Sequence, residues 1–149
     1  MSGIRMTDLE IAKTELNGYS LTLAIVKNGA VIYSTKIRKI SGFLDAIDKC
    51  GADLRGASVA DRVVGKAVAL LCAYVGVREV YACVLSRKAV TVLKQNHVGY
   101  SWNKLVDNIL DVDKLNSCPF EKAAADLSDP QAAYVKFKTL LKNLRSCKS

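Results

Sequence analysis

A chain of 149 residues, half of them hydrophobic and 24% charged, has an apolar content that excludes a disordered or low-complexity polymer and a length that suits one domain. Its longest nearly uninterrupted apolar run, Ala67 to Val77, falls far short of the roughly 20 residues of a membrane span. Lys and Arg outnumber Asp and Glu by 22 to 14, a net charge of +8 that favours anionic partners such as nucleotides or nucleic acid.

In chain order, Thr7-Asp8 opens a helix over Leu9 to Leu16 that Asn17-Gly18 ends. Ser20 to Lys27 and Ala30 to Ser34 alternate around Asn28-Gly29, a pair that tolerates the positive φ of a tight turn, so a β-hairpin is expected. Phe43 to Lys49 reads as a short helix. Ser58 then opens what the pattern makes the longest helix, Val59 to about Tyr74, with Gly76 as its stop. Arg78 to Leu85 is a continuous β-prone run, as in a strand covered on both faces. Ser86 opens a helix over Lys88 to Gln95, Gly99 to Trp102 reads as a strand, and Leu105 to Leu110 as a short helix. Pro119 begins a helix to about Asp126.

Strands interspersed with helices predict an α/β domain over residues 1–127, a central sheet with helices on both faces. Residues 128–149 add a last helix, opened by Ser128-Asp129-Pro130, whose stripe of Ala133, Phe137, Leu140, Leu141 and Leu144 packs on the domain or on a partner subunit rather than on a membrane. Much of the positive charge lies here, in Lys136, Lys138, Lys142, Arg145 and Lys148, and a solvated helix face accounts for it. No basic run is interleaved with aromatics, so nucleic acid as a partner has no motif behind it. Five singly scattered cysteines and an N-terminus without a signal-like apolar stretch imply a reducing, cytoplasmic setting.

Three constellations could carry chemistry. Ser58-Val59-Ala60-Asp61 has the form of a capping box, followed by Arg62 and by Gly65-Lys66. A glycine inside a helix costs roughly 1 kcal/mol relative to alanine, and close approach of a backbone or a ligand is the expected offset. Arg87 and Lys88, directly after Ser86, set cations at a helix start whose N–H groups favour anions, and a bound anion would reconcile the two. Cys118 precedes Pro119 at a helix N-terminus, where the dipole lowers a thiol's pKa; Glu121 follows as a proton acceptor, a ligand or a cap. His97, the one histidine, reads as a solvated turn residue, and the chain has neither a P-loop nor a Cys-x-x-Cys pair.

Asp61-x-x-x-Gly65-Lys66-Ala67, the Val80 to Ser86 strand-to-helix junction and Cys118-Pro119-x-Glu121 together resemble a family of small, functionally uncharacterised prokaryotic proteins with a cytidine deaminase-like fold. The resemblance implies a three-layer α/β/α sandwich with a mixed sheet and a cleft at two helix N-termini, here those starting at Ser58 and Ser86. Zinc deaminases carry a His or Cys ligand with a nearby Glu on the first helix and Pro-Cys-x-x-Cys on the second. This chain has Asp61-Arg62-Val63 and Ser86-Arg87-Lys88-Ala89 instead, so no metal, no cofactor and no zinc-dependent deamination are expected.

The leading expectation is a metal-free domain that binds a nucleotide or related anionic small molecule through Ser58, Asp61, Arg62, Gly65, Lys66, Ser86, Arg87, Lys88, Cys118 and Glu121. Two alternatives stay open: a nucleotide group-transfer enzyme with Cys118 or Asp61 as nucleophile, and an oligomeric interaction module without a ligand.

Overall fold

The computed structural model describes residues 6–37, 40–107 and 119–146. Helix α1 (Asp8–Gly18) starts on a full capping box: the Thr7 hydroxyl accepts from the Glu10 N–H, and the Glu10 carboxylate accepts from the Thr7 N–H at 2.9 Å. Strands β1 (Leu23–Lys27) and β2 (Ala30–Thr35) form the expected hairpin, with Asn28 and Gly29 both at positive φ. The turn is tied to α1, because Asp8 accepts from the N–H groups of Asn28 and Gly29 at 2.9 and 2.8 Å. Helix α2 (Ile40–Cys50) and a short 3-10 turn (Gly51–Leu54) lead to strand β3 (Ser58–Val64).

Here the structure corrects the sequence reading. The segment expected as one long helix from Ser58 is a strand followed, after Gly65, by helix α3 (Lys66–Val75). Val59, Val63 and Val64 are β-branched and stiff in a helix, and β3 finds partners on both sides, β1 antiparallel and β4 parallel. Ser58 therefore caps nothing; its hydroxyl donates to Glu79 at 2.8 Å. Strand β4 (Glu79–Ser86), helix α4 (Arg87–Gln95) and strand β5 (Gly99–Val106) follow. Leu105 and Val106 continue β5 instead of starting the expected helix, and the remainder of that helix lies outside the described residues. Helices α5 (Pro119–Ala124) and α6 (Pro130–Ser146) complete the order.

The sheet is mixed, in the order β2-β1-β3-β4-β5, with β3, β4 and β5 parallel. Period-two alternation sorts its side chains onto two faces. Ala24, Val26 and Ala60 pack with Ala12 and Leu16 of α1 on one face. Leu23, Ile25, Val59, Val80 and Ala82 pack with α2, α3 and α4 on the other, and that cluster reaches outward to Phe120 of α5 and to Ala133 and Phe137 of α6. The stripe of α6 thus packs on its own domain, with Phe137 edge-on to Phe120 at 6.1 Å between centroids. Among the described residues no helix is long and apolar enough to cross a membrane.

Candidate functional site

Parallel strands β3, β4 and β5 end side by side at Val64, Ser86 and Val106, and α3 and α4 begin within two residues of β3 and β4. Two helix N-termini therefore face one sheet edge, the carboxyl edge at which open α/β sheets bind ligands.

The α3 terminus is already occupied from within the chain. Glu121 of α5, only 5% exposed, accepts from the Lys66 N–H at 3.0 Å and from the Ala67 N–H at 2.9 Å, one through each carboxylate oxygen. That closeness accounts for Gly65, because a Cβ there would stand 2.7 Å from both carboxylate oxygens. The anomalous glycine makes room for a side chain rather than for a bound molecule. Lys66 reinforces the clasp, its Nζ donating to the Ala125 carbonyl at the end of α5 at 3.1 Å.

Arg62 leaves the edge altogether. On β3 it alternates away from Asp61, to the α1 face, where it donates from Nε to the Leu21 carbonyl and from Nη2 to the Leu16 carbonyl, both at 2.8 Å. Its Nη1 reaches Asn17 Oδ1 at 3.1 Å and the Cys83 sulfur at 3.8 Å. It anchors the end of α1. At α4, the buried Ser86 hydroxyl caps the helix by accepting from the Ala89 N–H at 3.1 Å. Arg87 is exposed and pairs with Asp107 at 2.8 Å, and Lys88 is exposed beside it. Cys118 lies outside the described residues.

Asp61 is the chemically distinctive group. It stands on the helix-facing side of β3, level with Leu23 and Ala82, with part of its surface still open to solvent. Burial raises its carboxyl from the usual carboxylate range to about 7, against the opposing pull of the Arg62 and Val63 backbone N–H groups and of the Arg62 charge. The fully buried thiol of Cys72 on α3 feels the same environment and is raised far above its ordinary value by burial and then by the Asp61 charge. Sequence reasoning singled out Asp61 but not Cys72, which carried only the look of a core residue. Among the described residues, no three His, Cys, Asp or Glu side chains come together as a metal site requires.

The raised carboxyl makes stability pH-dependent. The unfolded chain releases this proton near 3.8 and the folded chain near 7, so the folded state binds the extra proton between those values. The stabilisation is fully present below 3.8 and is lost as the pH climbs through about 7. Asp61→Asn should therefore flatten the fall in urea midpoint across this window and gain up to roughly 4 kcal/mol over the wild type at the alkaline end. Parallel curves for the two proteins would show that Asp61 is solvated like any surface carboxylate.

Comparison with known proteins agrees with this architecture. The model of the TM1506 family, a domain of unknown function (DUF1893), matches residues 11–141. The chain belongs to the DUF1893 family. A crystal structure of a DUF1893 family protein (TM1506) from Thermotoga maritima superposes with a TM-score of 0.80 over 92% of each chain, at 22% sequence identity. Identity at that level carries the DUF1893 fold across and nothing further. A search of curated proteins finds no match.

Proposed function

We propose that this DUF1893 chain is a deaminase-like domain, without the zinc ligands of the deaminases, that binds a nucleotide or related anionic small molecule at the carboxyl edge of β3 and β4. The observation that carries the reading is that carboxyl edge, where α4 begins with exposed Arg87 and Lys88; Asp61, a carboxyl held near a neutral pKa, lies mid-strand on β3, three residues short of it. Carboxyls perturbed by burial within a cleft are candidates for a functional role. A protonated Asp61 can both donate and accept a hydrogen bond, which suits the edge of a base or a ribose hydroxyl.

The charge arrangement directs the anionic group to one place. Glu121 already holds the N–H groups of Lys66 and Ala67, so a second anion at α3 would meet a carboxylate. At α4 the helix end is flanked by Arg87 and Lys88, which favours a phosphate there. The same pKa favours a hydrogen-bonding or proton-transfer role for Asp61 over a nucleophilic one, since a protonated carboxyl is a far weaker nucleophile than a carboxylate.

Calorimetry with adenosine, cytidine and their 5′-monophosphates tests this. The monophosphates should bind more tightly than the nucleosides. Lys88→Ala should weaken only the monophosphates, by about ten-fold for the loss of one charge-assisted contact. Asp61→Asn should weaken both classes alike. Equal affinity of nucleoside and nucleotide, or no binding of either, overturns the proposal.

A further inference from the structure

Among the described residues strand β5 is an edge of the sheet, with β4 on one side only, and it carries two aromatic rings in a row. Tyr100 and Trp102 are two residues apart and so share a face; their rings lie within 14° of parallel with centroids 6.1 Å apart. Tyr100 packs partly into the core, whereas Trp102, the only tryptophan of the chain, is 43% exposed. A single exposed aromatic needs no explanation. This one stands in an ordered row, next to exposed Asn103 and Lys104.

Cations bracket the row. Exposed Arg78 adjoins the start of β5, its carbonyl accepting from the Gly99 N–H at 3.0 Å. Lys104 lies two residues beyond Trp102, and exposed Arg87 and Lys88 follow Ser86, which is level with the end of β5 at Val106. Among the described residues two acids, Glu79 beside Arg78 and Asp107 against Arg87, stand against these four cations, so the strip stays net positive. Glu79 also accepts from the Ser58 hydroxyl at 2.8 Å, and Asp107 takes up Arg87, which leaves Lys88 and Lys104, among the described residues, as the cations without an ion pair in this strip beside Arg78.

We propose that this edge, the Tyr100–Trp102 stack between Arg78 and Lys104, binds single-stranded nucleic acid. Stacking rings require exposed base faces, which a duplex hides within its own stack, and cations along an extended strand match a phosphate backbone. A second copy of the chain is the poorer occupant, since pairing two such edges would bring like-charged strips together. The surface goes beyond the nucleotide cleft and does not use Asp61. It also supplies what the linear sequence lacked: aromatics flanked by cations that come from the residue before β4, from α4 and from β5 together.

The test is titration of the full chain with fluorescein-labelled oligothymidylate and oligouridylate at low salt, following both anisotropy and Trp102 emission. The expected result is a saturable anisotropy rise with parallel quenching of Trp102. Trp102→Ala should weaken binding about ten-fold, while Trp102→Phe, which keeps a ring, should stay near the wild type. Arg78→Ala combined with Lys104→Ala should flatten the dependence of log affinity on log salt by about 1.4, two phosphate contacts' worth. No binding at low salt, Trp102→Ala binding like the wild type, or tighter binding of the matching duplex would each overturn the proposal. So would capture by anionic lipid vesicles in place of the oligonucleotides.

Discussion

Replacing Gly65 by alanine is expected to destabilise the domain by roughly 3–5 kcal/mol, although the backbone there accepts alanine without strain. Gly65 has φ of −99° and ψ of −170°, an extended conformation open to any residue. The cost comes from across the domain. A methyl group 2.7 Å from both Glu121 oxygens forces the carboxylate away, which strips the Lys66 and Ala67 N–H groups of their acceptor and leaves a buried charge unpaired. A double-mutant cycle separates this account from a simple intolerance of alanine. With Glu121→Ala already in place, Gly65→Ala should cost less than about 1 kcal/mol, because the obstruction has gone and the alanine restricts the unfolded chain. Urea unfolding of the four proteins gives the cycle. Additive effects would mean that Gly65 answers to something other than Glu121.

Arg62→Ala is expected to cost about 3 kcal/mol and to release α1 ahead of the rest of the domain. Two carbonyls near the end of α1, Leu16 and Leu21, and the Asn17 side chain all accept from this one guanidinium. Removing it takes a charged donor from all three, although the Leu16 carbonyl keeps the Leu21 N–H at 3.0 Å. Arg62→Lys should recover little, because an ammonium cannot present the planar fork that meets three acceptors at once. Amide hydrogen exchange should accelerate over Asp8–Gly18 more than over α3, whereas uniform acceleration across the domain would contradict an anchoring role.

Both expectations rest on contacts that lie far apart in sequence, and this divides what the chain discloses from what it withholds. The hairpin was legible because Asn28-Gly29 is a local signal whose positive φ the turn requires. The α1 start was legible at Thr7-Asp8 for the same reason. Strand β3 was not, since Ser58 and Asp61 imitate a capping box and run on into the apolar sequence of α3. What decides it is pairing with β1 and β4, which no local window contains. Gly65 shows the same limit within the site. Its oddity in an apolar run was visible and the inference of a close approach was sound, but the approaching group, Glu121, comes from another helix. Arg62 looked like a neighbour of Asp61 and Lys66, yet strand alternation sends it to the opposite face. The group of residues gathered from sequence thus divides. Gly65, Lys66 and Glu121 form a clasp between α3 and α5, Ser86, Arg87 and Lys88 open α4, and Asp61 lies mid-strand on β3, three residues before that edge.

That edge is the proposed binding cleft, and amide chemical-shift mapping tests it most directly. Titration of the uniformly labelled chain with a nucleoside 5′-monophosphate should move the resonances of Asp61 to Val64 and of Ser86 to Ala89, saturating together with one dissociation constant. The amides of Leu9 to Leu16, on the far face of the sheet, should stay in place. Shifts scattered over the surface without saturation, or a saturable set elsewhere that leaves Asp61 and Lys88 unmoved, would contradict the proposed site.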